Sequence, residues 1–238
     1  MKAIVAGGVI AAGEGSRLQA LGPSKPLVPV AGMPLVERVL SNFAAAGVSS
    51  VSIIFNAEQE ECAAFVEDRF PELVKTVVLR TTPHSWESFR TILAVSPPGR
   101  LLVTTVDTLC AAEDFVAFVR KAEQAAEEET VLAVTPLVAD EKPLWVRRDA
   151  SDRVREIGGA EGDAVTAGLY VISEGARRLE PPATLGRLRE YLSWLCAAGE
   201  PIRAVSIPRA VDVDRPEDVR LAETLFGRAL RRAAGGVA

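Results

Sequence analysis

Short β-branched apolar runs recur along the chain, with room for one amphipathic helix between most neighbours. The runs are AIVAGGVIA (3–11), VSIIF (51–55), TVVL (76–79), LLVTTV (101–106) and VLAVTPL (131–137). Around and between them lie PLVERVLSNFAAAG (34–47), EQEECAAFVEDRF (58–70), SWESFRTILAV (85–95) and AEDFVAFVRKAEQAAE (112–127), each of helix length. Apolar strands without polar alternation are buried on both faces, and strands separated by helices run parallel. A mostly parallel central sheet covered by helices on both faces is therefore expected. The opening MKAIVAGGVIAAG has the look of a signal peptide, but it runs directly into a glycine-rich loop and is read as the first strand of that sheet.

After about residue 138 the rhythm changes. LWVRRDASDRVREIGG (144–159) reads as two short strands around an Asp/Ser turn, and AVTAGLYVIS (164–173) as a longer strand, which predicts a small antiparallel insertion over about 138–175. The pattern then returns to a helix over 183–199, a strand over 202–207 and a last helix from Pro216 to about residue 232, with proline at a helix start where its missing N–H costs nothing. There is no internal repeat and no long linker. The expected architecture is a single α/β domain over 1–238, a Rossmann-like three-layer α/β/α sandwich.

Composition narrows the partners. With 27 basic and 32 acidic side chains the net charge is −5, so a nucleic-acid backbone meets no general attraction. No apolar run approaches the ~20 residues of a membrane span. Cys62, Cys110 and Cys196 are odd in number and far apart, without a C-x-x-C pair, and one histidine cannot complete a zinc site. They read as reduced thiols filling the core of a cytoplasmic protein. Trp86, Trp145 and Trp194 read as packing residues, since no basic patch accompanies them. Small-molecule partners are expected, and a homo-oligomer is compatible with the sequence.

The first strand leads into AAGEGSRLQALGPSKPLVPVAG (11–32). GEGSRL matches a dinucleotide fingerprint until Leu18, which stands where the third glycine belongs, and the second strand ends in Asn56 rather than a ribose-binding acid. The P-loop pattern fails for lack of G-K-[ST]. Pro23, Pro26, Pro29 and Pro34 bar a continuous helix. What remains is two glycines, Gly13 and Gly15, that let backbone amides approach a phosphate, with Arg17 and Lys25 as two cations beside them. Arg17 taken alone reads better as a surface ion-pair residue. Together the pair suits a triphosphate and a departing pyrophosphate.

AAGEGSRL…SKPLVPVAGMPLVERVL resembles the N-terminal signature of the sugar-phosphate nucleotidyltransferase family. The resemblance covers nearly the whole chain, most strongly 11–40 and 211–222. It implies transfer of NMP from an NTP to a sugar 1-phosphate or alcohol phosphate, with Mg²⁺ as cofactor and pyrophosphate released. It also implies a loop of Ala11, Ala12, Gly13, Glu14, Gly15 and Ser16 embracing the NTP, with Arg17 and Lys25 as the catalytic cations.

Mg²⁺ takes one or two protein carboxylates alongside phosphate oxygens and water, so two acids should lie where the loop points. LLVTTVDTLC places Asp107 at the end of a buried strand, and AVDVDRPEDVRLAE offers Asp212 and Asp214 before the last helix. Helix capping is the alternative for each, and it fits Asp214 better than Asp212. The resemblance matches Asp107 and Asp212 to the family's metal-binding aspartates. In TTPHSWESFRTIL, Ser85 is expected either to cap the helix, with Glu87 or Ser88 completing its first turn, or to contact the base where the family places base recognition. His84 is expected at a loop or pocket edge.

TAGLYVIS resembles the family's N-A-G-I-Y-V-F strand, which implies that Gly168 lets the acceptor approach the sheet. The chain departs from the family's pattern in three places. Thr108 and Leu109 follow the first acid where many relatives carry Asp or Gly, Arg215 stands where Thr is common, and REIGGA brings Gly158 and Gly159 where sugar-specific relatives carry Glu-Lys-Pro. The last departure is closer to relatives that use CTP with phosphocholine or inositol 1-phosphate. A non-catalytic nucleotide-sensing homologue would be marked by loss of the cations or acids, and all four are present. A glycosyltransferase using a nucleotide sugar would show a D-x-D pair where DTL stands.

Overall fold

The structure, a computed structural model, describes residues 3–22 and 24–234, so Pro23 lies outside it. The first apolar run forms β1 (Ala6–Ala11), and a two-residue hairpin, β2 (Pro29–Val30) and β3 (Met33–Pro34), leads into α1 (Leu35–Ala45). The alternation then runs β4 (Ser50–Phe55), α2 (Glu60–Arg69), β5 (Val74–Leu79), α3 (Ser85–Val95) and β6 (Leu101–Thr105). A short β7 (Thr108–Leu109) precedes α4 (Ala112–Gln124) and β8 (Thr130–Thr135). Next come β9 (Trp145–Arg148), β10 (Val154–Ile157), β11 (Ala164–Ile172), α5 (Glu174–Arg177) and α6 (Leu188–Ala197). The chain closes with β12 (Ile202–Ser206), β13 (Val211–Asp212) and α7 (Pro216–Ala234).

One nine-stranded sheet carries the fold. β6, β1, β4 and β5 lie side by side and parallel, as do β8 and β12. β11 runs between β6 and β8, antiparallel to both, so it is a central strand and not part of a peripheral insertion. Nearly all of its nine residues are buried, and a strand buried on both faces needs neighbours on both edges to pair its backbone. Only β9 and β10 form the separate antiparallel pair expected of 138–175. The expected mostly parallel sheet is present, and helices cover both faces.

Two apolar cores lie on either side of it. One gathers Phe43 of α1, Val66 of α2, Phe115 and Phe118 of α4 and Phe226 of α7. The other gathers Phe89 and Ile92 of α3 with Tyr191, Leu192 and Leu195 of α6. Trp86 stacks on Tyr191 with ring centroids 4.5 Å apart, which is packing. All three cysteines are free; Cys62 and Cys110 are buried and Cys196 packs against the second core. No helix among the described residues is long and apolar enough to cross a membrane.

Leu18 explains the broken fingerprint. Ser16–Leu21 forms a 3-10 turn whose one buried residue is Leu18, 1% exposed within the first core. A glycine here would let a helix pack on the strand; leucine instead ties a compact turn to the core. Leu18→Ala is expected to cost about 2–5 kcal/mol, seen as a lower urea midpoint with unchanged slope.

Candidate active site

Parallel strands deliver their carboxyl ends to one edge of the sheet, and loops there line a common cleft. β1 ends in the Ala12–Arg17 loop, β4 in Asn56, β5 in the segment carrying Thr81 and Thr82, and β6 in Thr105 and Asp107. All of them line a single cavity of about 520 Å³, together with Lys25, His84, Ser85 and Asp214. Ala11 does not join them: its side chain is buried in the first core, because the strand's alternation turns it away from the cleft.

The loop is built around Lys25. Gly15 sits at φ +61°, and a Cβ there would lie 2.3 Å from Cβ of Lys25, so only glycine allows the two segments to meet this closely. A second 3-10 turn, Lys25–Leu27, follows Ser24, whose hydroxyl donates to Glu61 Oε1 at 2.9 Å. Lys25 is almost wholly buried, and its ammonium donates to Asp107 Oδ2 and to Asp214 Oδ1. Burial alone would lower its pKa, but the two carboxylates outweigh it and hold the lysine above its ordinary value. Arg17 is exposed on the cleft wall and forms no ion pair among the described residues.

Asp214 corrects the capping expectation. Its carboxylate is committed to Lys25, and the start of α7 is capped by Asp218, whose Oδ2 accepts from the amides of Asp214 and Arg215 at 3.0 and 2.8 Å. Ser85 corrects it too. His84 is the residue that caps α3, its Nδ1 accepting from the amide of Glu87, while Ser85 Oγ accepts from the amide of Leu188 at the start of α6. Ser85 therefore pins two helix starts together at the cleft wall.

Asp107 and Asp212 are brought together by one of the two two-stranded sheets. β7 pairs with β13, placing Thr108 opposite Asp212, and the Val213 amide donates to Asp107 O at 3.0 Å. Burial pushes the Asp107 carboxyl up, but Lys25 beside it prevails and holds it below the usual carboxylate range. Asp212 shows surface to a second cavity, yet surrounding protein and the Asp107 charge push its pKa up to about 7. A cation shared by the two acids would offset the repulsion that Asp107 exerts on Asp212.

Gly168 is placed differently from expectation. It lies at φ +69° where β11 shifts register against β8, and a Cβ there would fall 1.9 Å from Thr108 Oγ1. Thr108, not open space for an acceptor, fills the room that the glycine leaves. The second cavity lies beside it, lined by Thr135, Asp140, Thr166, Tyr170, Arg189 and Asp212 among others. Asn56, Thr81, Thr82 and Thr105, which sequence reasoning passed over as ligand contacts, belong to the first cavity. Their signal was position alone: each lies at or just beyond the end of a parallel strand.

Among the described residues no three or more His, Cys, Asp and Glu side chains form a metal cage. A cation completed by phosphate oxygens and water needs no more than one or two carboxylates. Asp107 Oδ1 is a buried acceptor with no hydrogen-bond partner, which fits such a cation.

Comparison with known proteins identifies relatives of the whole fold. A family model described as MobA-like NTP transferase domain matches residues 7–176. A Rubrobacter xylanophilus protein named bifunctional IPC transferase and DIPP synthase is 28% identical over 239 residues, covering 93% of this chain and 52% of its own length. The chain thus spans about half of that relative. Among solved structures, the inositol-1-phosphate CTP transferase from T. maritima superposes with a TM-score of 0.84 at 18% identity, over 100% of this chain and 99% of that one. UDP-glucose pyrophosphorylase complexed with UDP-glucose superposes with a TM-score of 0.76 at 14% identity, over 94% and 99%. At such identities these two speak for the fold.

Proposed function

We infer the reaction from kinship and geometry together: the chain belongs to the MobA-like NTP transferase family, and its glycine loop, Lys25 and paired acids meet in one cleft. The reaction is transfer of NMP from an NTP to a phosphate monoester. A phosphate oxygen of the acceptor attacks the α-phosphorus in line. The bond from that phosphorus to the bridging oxygen breaks, and pyrophosphate leaves with the electron pair.

The observation that carries this reading is Lys25, a buried ammonium fixed at the mouth of the glycine loop beside an acid with a free oxygen. Loop amides from Ala12 to Ser16 bind the triphosphate, and Lys25 and Arg17 stabilise charge on the departing pyrophosphate. An acceptor phosphate is already ionised near neutrality, so no general base is required of His84. Asp107 and Asp212 would hold a divalent cation, Mg²⁺ in this reading, which supplies charge compensation for the triphosphate. Catalysis by the chain's own residues is then positioning and electrostatics.

The acceptor is a polyol phosphate and the nucleotide CTP. Threonine hydroxyls, the Tyr170 hydroxyl and the Asp140 carboxylate suit ring hydroxyls, while among the described residues no aromatic ring besides Tyr170 lines the cavity to cage a quaternary ammonium. The name of the T. maritima protein supports inositol 1-phosphate over phosphocholine. The test is pyrophosphate release with each of the four NTPs against sugar 1-phosphates, phosphocholine and inositol 1-phosphate. CTP with inositol 1-phosphate is expected to turn over fastest; no turnover with any pair would overturn the enzyme reading.

A further inference from the structure

We propose that Thr108 is a positioning residue that aims the Asp212 carboxylate at the divalent cation, an inference that rests on the metal role of Asp212 in the reading above. Thr108 is buried, and its Oγ1 donates to Asp212 Oδ1 at 3.0 Å. The same hydroxyl lies 2.8 Å from Thr105 Oγ1. A threonine hydroxyl has one proton, so if Thr108 gives it to Asp212, Thr105 must donate to Thr108. Thr105 lines the triphosphate cleft and Asp212 lines the neighbouring cavity, so the relay runs from one to the other.

Three independent features hold the hydroxyl in place. The β7–β13 pairing sets Thr108 opposite Asp212 in register. The left-handed Gly168 opens the space that Thr108 occupies, since a Cβ there would also stand 2.7 Å from Thr108 Cγ2. Burial of Thr108 shields its hydroxyl from competing water. One oxygen of Asp212 is thereby tied down, and the carboxylate cannot rotate freely when a cation binds. Partners that orient ligating carboxylates in this way contribute roughly 10–100-fold to metal affinity.

Thr108→Val keeps the shape and removes the hydroxyl, and Thr108→Ser keeps the hydroxyl and removes the methyl. Binding of Mn²⁺ alone, followed by loss of the free-ion electron paramagnetic resonance signal, is measured alongside the Mg²⁺ concentration that half-saturates pyrophosphate release. Thr108→Val is expected to weaken Mn²⁺ binding about 10–100-fold and to raise the Mg²⁺ requirement in step, and Thr108→Ser to restore both towards wild type. Unchanged Mn²⁺ affinity in Thr108→Val, even with a lowered melting temperature, overturns the proposal, as does a wild-type protein that binds no Mn²⁺. If Mn²⁺ binding depends on Thr108 but no NTP and acceptor pair reacts, the positioning role stands and the proposed reaction falls.

Discussion

Lys25→Met is expected to slow pyrophosphate release by about 10²–10³-fold, the usual loss when one donor to a developing oxyanion is removed. Methionine retains the apolar stem that packs under Gly15 and loses only the ammonium. The loss has a second component, because Asp107 and Asp214 would keep their charges without the group that compensates them. The side chains of Asp107 and Asp214 are 21% and 53% exposed, so the stability cost should be on the order of 1–3 kcal/mol, below the ~3–5 kcal/mol of a fully buried broken pair. Arg17→Ala provides the contrast. Arg17 is exposed and breaks no ion pair among the described residues, so its removal should lower activity without moving the melting temperature. Steady-state rates with thermal unfolding of both variants check this. A Lys25→Met protein releasing pyrophosphate at the wild-type rate would remove Lys25 from the chemistry.

The parallel strands were legible because burial on both faces leaves long apolar runs, and the glycine loop because it departs from two known patterns in one coherent direction. Elements of two residues were not. β2, β3, β7 and β13 are too short for any periodicity, yet β7 and β13 bring Thr108, Asp107 and Asp212 into one site. β11 looked peripheral because its neighbours in sequence, β9 and β10, are; its place at the sheet centre follows from pairing with β6 and β8, which no local pattern records. Asp214 and Asp212 precede the same helix, and local rules assign the nearer one to capping. Asp218 decides the matter by reaching back to cap α7, which frees Asp214 for Lys25, a partner 189 residues away. Gly168 was legible as a close approach but not as an approach by Thr108, because the partner is again distant in sequence.

Gly15→Ala should cost nearly as much activity as loss of the lysine itself, although it touches no charge. An alanine at φ +61° pays about 1–2 kcal/mol for the left-handed backbone. Its Cβ would stand 2.3 Å from Lys25 Cβ and 3.3 Å from Lys25 Cα, so the clash falls on the root of the lysine and on its backbone, not on a flexible tip. Lys25 must shift bodily, and a displacement of ~1 Å at a catalytic group can cost about 10²-fold. Gly13→Ala separates this effect from a general sensitivity of the loop. A Cβ at Gly13 meets nothing within 4 Å, so stability should stay within about 0.5 kcal/mol of wild type. Gly13 lines the triphosphate cleft, however, and its new methyl would compete with the ligand for that open space. Gly13→Ala is therefore expected to raise KM for the NTP with the melting temperature unchanged, and Gly15→Ala to lower kcat and the melting temperature together. Equal losses of stability in the two variants would mean that the loop needs glycine for its backbone alone. The opposite division, one variant sensitive through the lysine and the other through the nucleotide, follows only if the two glycines face different partners.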